Sequence, residues 1–247
     1  AYFKSNSSAS LQYNIGGNLT LIHNEVTDLG TGGEPINTGR IQSANSTVAR
    51  TDVGHPLASF YGYVTDGIFQ TPEEVANHAF QAEGTAPGDI RFKDLNNDGV
   101  IDINDRTYIG NPIPKMTYGI TGNLAYKGID LTMFWQGSYG NDIYNGSVRY
   151  DFTYVNRPKS TLERWTGPGT SNSQPRVGLS DPNQNARVSD RFVEDGSYLR
   201  LKNIQLGYSL PASILRKVAI KELRFYVAAQ NLVTFTQYSG MDPEIGV

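Results

Sequence analysis

Residues 94–105 read Asp-Leu-Asn-Asn-Asp-Gly-Val-Ile-Asp-Ile-Asn-Asp, with oxygen donors spaced to wrap a short chain around one hard divalent cation. Positions 1, 3, 5, 9 and 12 of that calcium-loop pattern are Asp94, Asn96, Asp98, Asp102 and Asp105. The Val100 carbonyl stands at position 7 and Gly99 occupies the sharp bend. Calcium takes about six to eight oxygens, and four carboxylates with no basic residue inside the loop repel one another until a cation neutralises them. Asp rather than the longer Glu closes the loop, and its flanks read as strand and turn instead of two helices. Both features point to a structural Ca2+ site rather than a sensor. The same residues also suit an ordinary solvated Asn/Asp/Gly turn, so a metal-free reading stands beside the metal one.

No other constellation carries chemistry. His23, His55 and His78 are scattered without ligand or triad spacing, and no G-x-S-x-G, P-loop or dinucleotide fingerprint occurs. The expectation is therefore a protein that is not an enzyme. The 21 Lys and Arg against 24 Asp and Glu give a net charge of −3, with no basic run to follow a phosphate backbone, so nucleic acid is not an expected partner. The absence of Cys removes disulfide scaffolds and thiolate metal sites, and leaves the compartment open. No apolar run approaches the about 18 residues of a spanning helix, whereas a membrane strand needs only about 10 alternating residues. Residues 1–20 lack a basic segment followed by an apolar core, so an exported chain would be an internal piece of a longer one.

The elements that would position the acidic loop are strands. From Met116 to Tyr126, residues Met116, Tyr118, Ile120, Leu124 and Tyr126 share one parity, and Thr117, Gly119, Thr121, Asn123 and Ala125 the other. Lys127-Gly128 forms a turn, and Ile129, Leu131, Met133 and Trp135 continue the apolar face back to Ser138. Ser197–Ser209 and Lys221–Gln230 repeat the pattern around a helical turn at 211–218 that starts on Pro211. Arg200 and Lys202 share the apolar parity there, which would place them beyond the hydrocarbon of a membrane. A weaker pair, Ser8–Ile15 and Asn18–Asp28, flanks Gly16-Gly17, which completes six strands in three hairpins. Thr71 caps a short helix over Pro72–Ala79.

The short turns fall at one end of these strands, and two long connections, 29–115 and 139–196, fall at the other, as in outer-membrane barrels. Tyr118, Tyr126, Trp135, Tyr139, Tyr198, Tyr208 and Tyr226 cluster toward strand ends like an interfacial girdle. Alternation and aromatics are shared with a soluble β-sandwich, so both architectures remain open at this point.

Six ordered stretches resemble one family, the SusC/RagA-like TonB-dependent transporters of the Bacteroidota outer membrane. They are Leu57–Gln70, Gly88–Asp102, Asp105–Pro114, Gln136–Tyr144, Arg187–Asn203 and Ala229–Gly240, covering most of the chain beyond residue 50. The resemblance implies an all-β fold: a transmembrane segment of a 22-stranded antiparallel β-barrel, spanning residues 1–247 as its C-terminal part. The family's plug, TonB box, early strands and final strand have no counterpart in the 247 residues.

What the resemblance further implies is TonB-dependent import of a nutrient across the Gram-negative outer membrane, most often an oligosaccharide and sometimes a peptide. A SusD-like surface lipoprotein and the TonB complex would be the partners. Thr117, Thr121, Asn123, Thr132, Gln136, Gln205 and Gln230 would line the lumen. Tyr61, Tyr63, Tyr139, Tyr144, Tyr150 and Tyr154 would stack on ligand or meet the lipoprotein, or else anchor the loops on each other. The calcium loop would stiffen the first long loop. The rival reading is a secreted, soluble glycan-binding β-sandwich with a structural calcium.

Overall fold

The computed structural model describes residues 2–4, 11–40, 47–148, 156–178, 180–216 and 220–244. Its strands are β1 (Tyr2–Lys4), β2 (Leu11–Leu21), β3 (Ile36–Arg40), β4 (Thr47–Thr51), β5 (Ser59–Tyr63), β6 (Thr65–Ile68) and β7 (Ile90–Phe92). They continue as β8 (Arg106–Gly110), β9 (Met116–Tyr126), β10 (Ile129–Tyr139), β11 (Asp142–Tyr144), β12 (Val193–Asp195), β13 (Tyr198–Ser209) and β14 (Arg224–Thr236). Two short helices join them: α1 (Pro72–Ala76), capped by the Thr71 hydroxyl as expected, and α2 (Ala212–Leu215), which starts after Pro211. Residues 217 and 218 of the expected helical turn lie outside the described residues.

Six strands form one antiparallel sheet in the order β1-β2-β9-β10-β13-β14. The pairing aligns apolar residues into rows, such as Tyr13, Leu124, Leu131, Leu206 and Val227. The adjacent row is Asn14, Asn123, Thr132, Gln205 and Ala228, which puts small and polar side chains on the other face. Lys127 (φ 47°) and Gly128 (φ 84°) connect the paired Tyr126 and Ile129. Two left-handed residues in a two-residue turn match the twist of the strands they join, and Gly supplies the second without a Cβ penalty.

Three expectations are corrected. Gly16-Gly17 is not a turn: both residues lie inside β2, paired with Thr121 and Ile120. The first hairpin is β1–β2, and its connection lies outside the described residues, as do residues 8–10 of the expected first strand. Glycine's turn preference is local, and a complete ladder along β9 overrides it.

The second correction concerns facing. The register slips where Phe134 pairs with Asn203 but Trp135 pairs with Leu201, so Lys202 is an extra residue that reverses parity in the upper part of β13. Leu199 and Leu201 therefore take the apolar face, while Arg200 joins the polar face beside Gln136. Tyr198 and Tyr226 also pair into polar rows, opposite Ser138 and Gly207, so they are not part of a lipid-facing girdle.

Third, six strands in three hairpins is too low a count, because the long connections hold strands of their own. They contain a four-stranded sheet, β3-β4-β5-β8, and two paired ribbons, β6-β7 and β11-β12. The buried hydrophobic core sits there: Ile90, Phe92 and Ile101 form a cluster backed by Tyr63 and Ala79. Of the buried apolar residues among those described, only Leu201 belongs to the six-stranded sheet. That sheet instead leaves Leu19, Leu206, Phe225, Val227 and Phe235 each more than half exposed. In a β-sandwich this face would be the core, covered by a second sheet. Its exposure, row after row, is what a strand wall facing hydrocarbon presents.

The faces differ enough to be tested on adjacent residues in the middle of β13. With the intact protein folded into bilayers, Ile204→Arg should lower stability by about 2–4 kcal/mol and Gln205→Arg by much less. Urea titration measures both, and equal losses would reverse the inside and outside assignment.

Candidate functional site

Both long connections leave the same end of the sheet, since Ile22 donates its N–H to the Lys115 carbonyl and Lys115 donates to Tyr139. They pack on each other through polar side chains. Asp89, 1% exposed, accepts both a Nε bond (2.8 Å) and a Nη2 bond (2.9 Å) from Arg176, a residue 87 positions away. Ala86 N–H and the Asn185 amide complete its coordination by donors. The paired carboxylate holds the Arg176 guanidinium above its ordinary pKa. Beside it, the buried Gln81 carboxamide donates to Ile90 O and to Asn183 Oδ1 and accepts from Phe92 N–H. This polar network is satisfied from both loops, so it fixes one mutual arrangement of them.

The acidic loop sits on the first connection, with its backbone closed by its own side chains. Asp94 accepts N–H bonds from Asn97 (2.7 Å) and Gly99 (2.9 Å), and Asp98 accepts one from Val100 (2.9 Å). Asn96 accepts from Asp98 N–H, and Asp102 from Asn104 N–H. Asp105, fully buried, ties the ends together by accepting from Leu95 and Asp102 N–H. Gly99 has φ 86°, the left-handed bend the motif requires. Among the described residues no three acidic or imidazole side chains gather as a metal-holding group. What fits a cation is the donor chemistry: all side-chain donors are oxygens, and no ion pair within the described residues neutralises Asp94, Asp98, Asp102 or Asp105.

The four of the six tyrosines that are described, Tyr61, Tyr63, Tyr139 and Tyr144, do not converge. Tyr61 lies under the guanidinium groups of Arg50 (4.7 Å) and Arg106 (5.0 Å) and meets Tyr108 edge-on. Tyr63 packs on Phe92 and beneath Arg187, and burial raises its phenol above the usual pKa. Tyr144 stands between Phe60 and Phe192. These rings anchor the loop module. Tyr139 is 57% exposed at the end of β10, whereas Tyr150 and Tyr154 lie outside the described residues.

The polar wall carries Thr117, Thr121, Asn123, Thr132, Gln136, Gln205 and Gln230 on one face, with Thr132 donating to Asn123 (3.0 Å). Arg224 pairs with Asp130 across Gly207, where a Cβ would collide with the guanidinium. A second ionic cluster was not visible in the sequence. Arg200, 5% exposed, donates to Asp242 (2.6 Å), Glu244 and Thr234, while Lys202 and the Tyr198 hydroxyl also reach Glu244. The segment after β14 is thereby folded back onto the polar wall. Only the reversed parity at Lys202 makes this possible.

No family profile matches the chain. TonB-dependent receptor P3 of Formosa agariphila is 37% identical over 192 residues, which cover 77% of this chain and 19% of that protein. TonB-dependent receptor SusC of Bacteroides thetaiotaomicron is 31% identical over 237 residues, 92% of this chain and 22% of SusC. The chain belongs to the TonB-dependent receptor family. It spans about a fifth of the length of these curated receptors. The solved structure of the RagAB peptide transporter is similar with a TM-score of 0.76 at 23% identity, over 99% of this chain and 26% of the other. That likeness concerns the fold: the six-stranded sheet is a stretch of receptor barrel wall, with its apolar rows outward and its polar rows inward.

In the receptor, the fold-back segment should respond to acid. The Arg200 hydrogen bond holds the Asp242 carboxyl below its ordinary 3.8. For Glu244, burial pushes upward, but bonds from Lys202 and Tyr198 outweigh it and keep the carboxyl below 4.5. Depressed carboxylates stabilise the fold at pH above their unfolded values and lose that contribution as pH falls through their folded values. Protease cleavage within 237–244 should therefore stay constant from about pH 8 to 5 and rise below about pH 4. A rise already at pH 6 would exclude this ionic anchor.

Proposed function

We propose that the full-length receptor imports an oligosaccharide across the outer membrane, driven by TonB and capped by a SusD-like surface lipoprotein. The observation that carries this reading is the two-faced wall: apolar rows for lipid, small polar residues for a wet lumen, and at one end a loop module with a core of its own. Thr, Asn and Gln side chains hydrogen-bond hydroxyls in single contacts of about 1 kcal/mol, weak enough to release a moving ligand. The receptor breaks no bond in its cargo, so no catalytic group is assigned. A peptide cargo is the second reading, favoured by the likeness to RagAB, a peptide transporter.

Deleting the receptor gene in its host should abolish growth on at least one oligosaccharide from a defined panel, and deleting TonB should reproduce that loss. Unchanged growth on every glycan, together with loss on oligopeptides, would move the cargo to the peptide class.

Calcium belongs to the same proposal. Asp94, Asn96, Asp98, Asp102, Asp105 and the Val100 carbonyl would hold the ion and stiffen the first long loop. The support is the order of oxygen donors and their uncompensated charge. The receptor should melt higher in calcium than in chelator, and Asp98→Ala should erase the difference. Identical melting of the unmodified receptor in both buffers would leave only the hydrogen-bonded turn.

A further inference from the structure

A cleft of about 170 Å³ lies in the loop module, and Arg157, Arg164 and Arg176 line it together with Asp89 and Asp181. Segment 156–178, which supplies these arginines, holds four cations (Arg157, Lys159, Arg164, Arg176) against Glu163 alone. A local excess of three positive charges in a chain of net −3 is a departure from its surroundings. The two carboxylates of the cleft do not cancel it by contact with Arg164. Asp89 already accepts four bonds, two of them from Arg176. Asp181 accepts three, from the Asn185 N–H and amide and the Ala186 N–H.

Arg164 is exposed, and its guanidinium has no hydrogen bond or ion pair among the described residues. Thr161, one turn earlier on the same wall, has a buried hydroxyl with no partner among the described residues. A planar guanidinium presents parallel N–H donors to a carboxylate or sulfate, and an unmatched hydroxyl beside it can take up a further ligand oxygen.

We propose that this cleft binds the anionic group, carboxylate or sulfate, of an acidic oligosaccharide at the outer side of the receptor. This rests on the import reading and narrows its cargo to acidic glycans. A peptide fits less well, because its backbone N–H groups need strong acceptors and the two carboxylates of the cleft, Asp89 and Asp181, already accept bonds from the protein. Arg176 fixes the cleft by locking Asp89, and Arg164 makes the ligand contact.

The test is calorimetric titration of the purified full-length receptor with tetragalacturonate, a sulfated tetrasaccharide, neutral cellotetraose and tetraglutamate. At least one acidic glycan should bind about tenfold or more tighter than cellotetraose and weaken as salt rises. Which of the two binds identifies carboxylate or sulfate as the recognised group. Arg164→Gln, at a position without partners to lose, should remove about tenfold of that affinity and leave cellotetraose unchanged, with Arg164→Lys intermediate. Equal affinities across the glycans, no effect of Arg164→Gln, or tetraglutamate binding as tightly as the acidic glycans would each overturn the assignment. If receptor-dependent growth on a glycan persists in that case, the cleft reading fails while import stands. Absence of any receptor-dependent growth removes the import reading itself.

Discussion

A strand in hydrocarbon can satisfy its backbone N–H and C=O groups only through the strands beside it. The pairing of β2, β9, β10, β13 and β14 over ten or more residues each follows from that constraint, as does the two-residue turn at Lys127-Gly128. Continuous ladders leave no freedom in which side chains face which way. The inner and outer chemistry of the wall is then decided residue by residue by parity.

The loop module obeys a different rule. Outside the bilayer, water can pair with the backbone, so the loops need not form long ladders and need a core instead. They build one from Ile90, Phe92 and Ile101, and align it with the Asp89–Arg176 pair and the Gln81–Asn183 network. Asp89 is buried while Arg176 is partly exposed, and removing the arginine would strand a buried carboxylate, so such contacts select a single arrangement better than they add stability. A fixed loop arrangement is what the proposed ligand recognition by this module requires.

The β9–β10 hairpin was legible because its alternation and its turn are both local. Gly16-Gly17 was misread because the ladder that straightens it comes from β9, about a hundred residues onward in the chain. The short strands of the loop module escaped notice for another reason: Ile90 and Phe92 are buried in a strand of three residues, too short for any alternation to register. The oxygen pattern of the acidic loop was visible in full, and its hydrogen-bonded turns fit that pattern. Pairs such as Asp89 with Arg176, or Arg200 with Asp242, carry no sequence signal, since each joins residues more than 40 positions apart.

The extra residue Lys202 in β13 is followed across the sheet by a second irregularity, where β14 passes through Asn231 (φ 51°) and Leu232 opposite that single residue. Each insertion shifts the alternation by one half-period, and the two in succession restore it. Phase is thus conserved across the wall, as in a crystal containing two compensating stacking faults. Between the faults, one strand is locally inverted, and in that inverted patch the buried Arg200 grips the returning chain. Deletion of a single residue there would heal the local fault and carry the error outward to the next strand, so length in this part of the chain is constrained more tightly than composition.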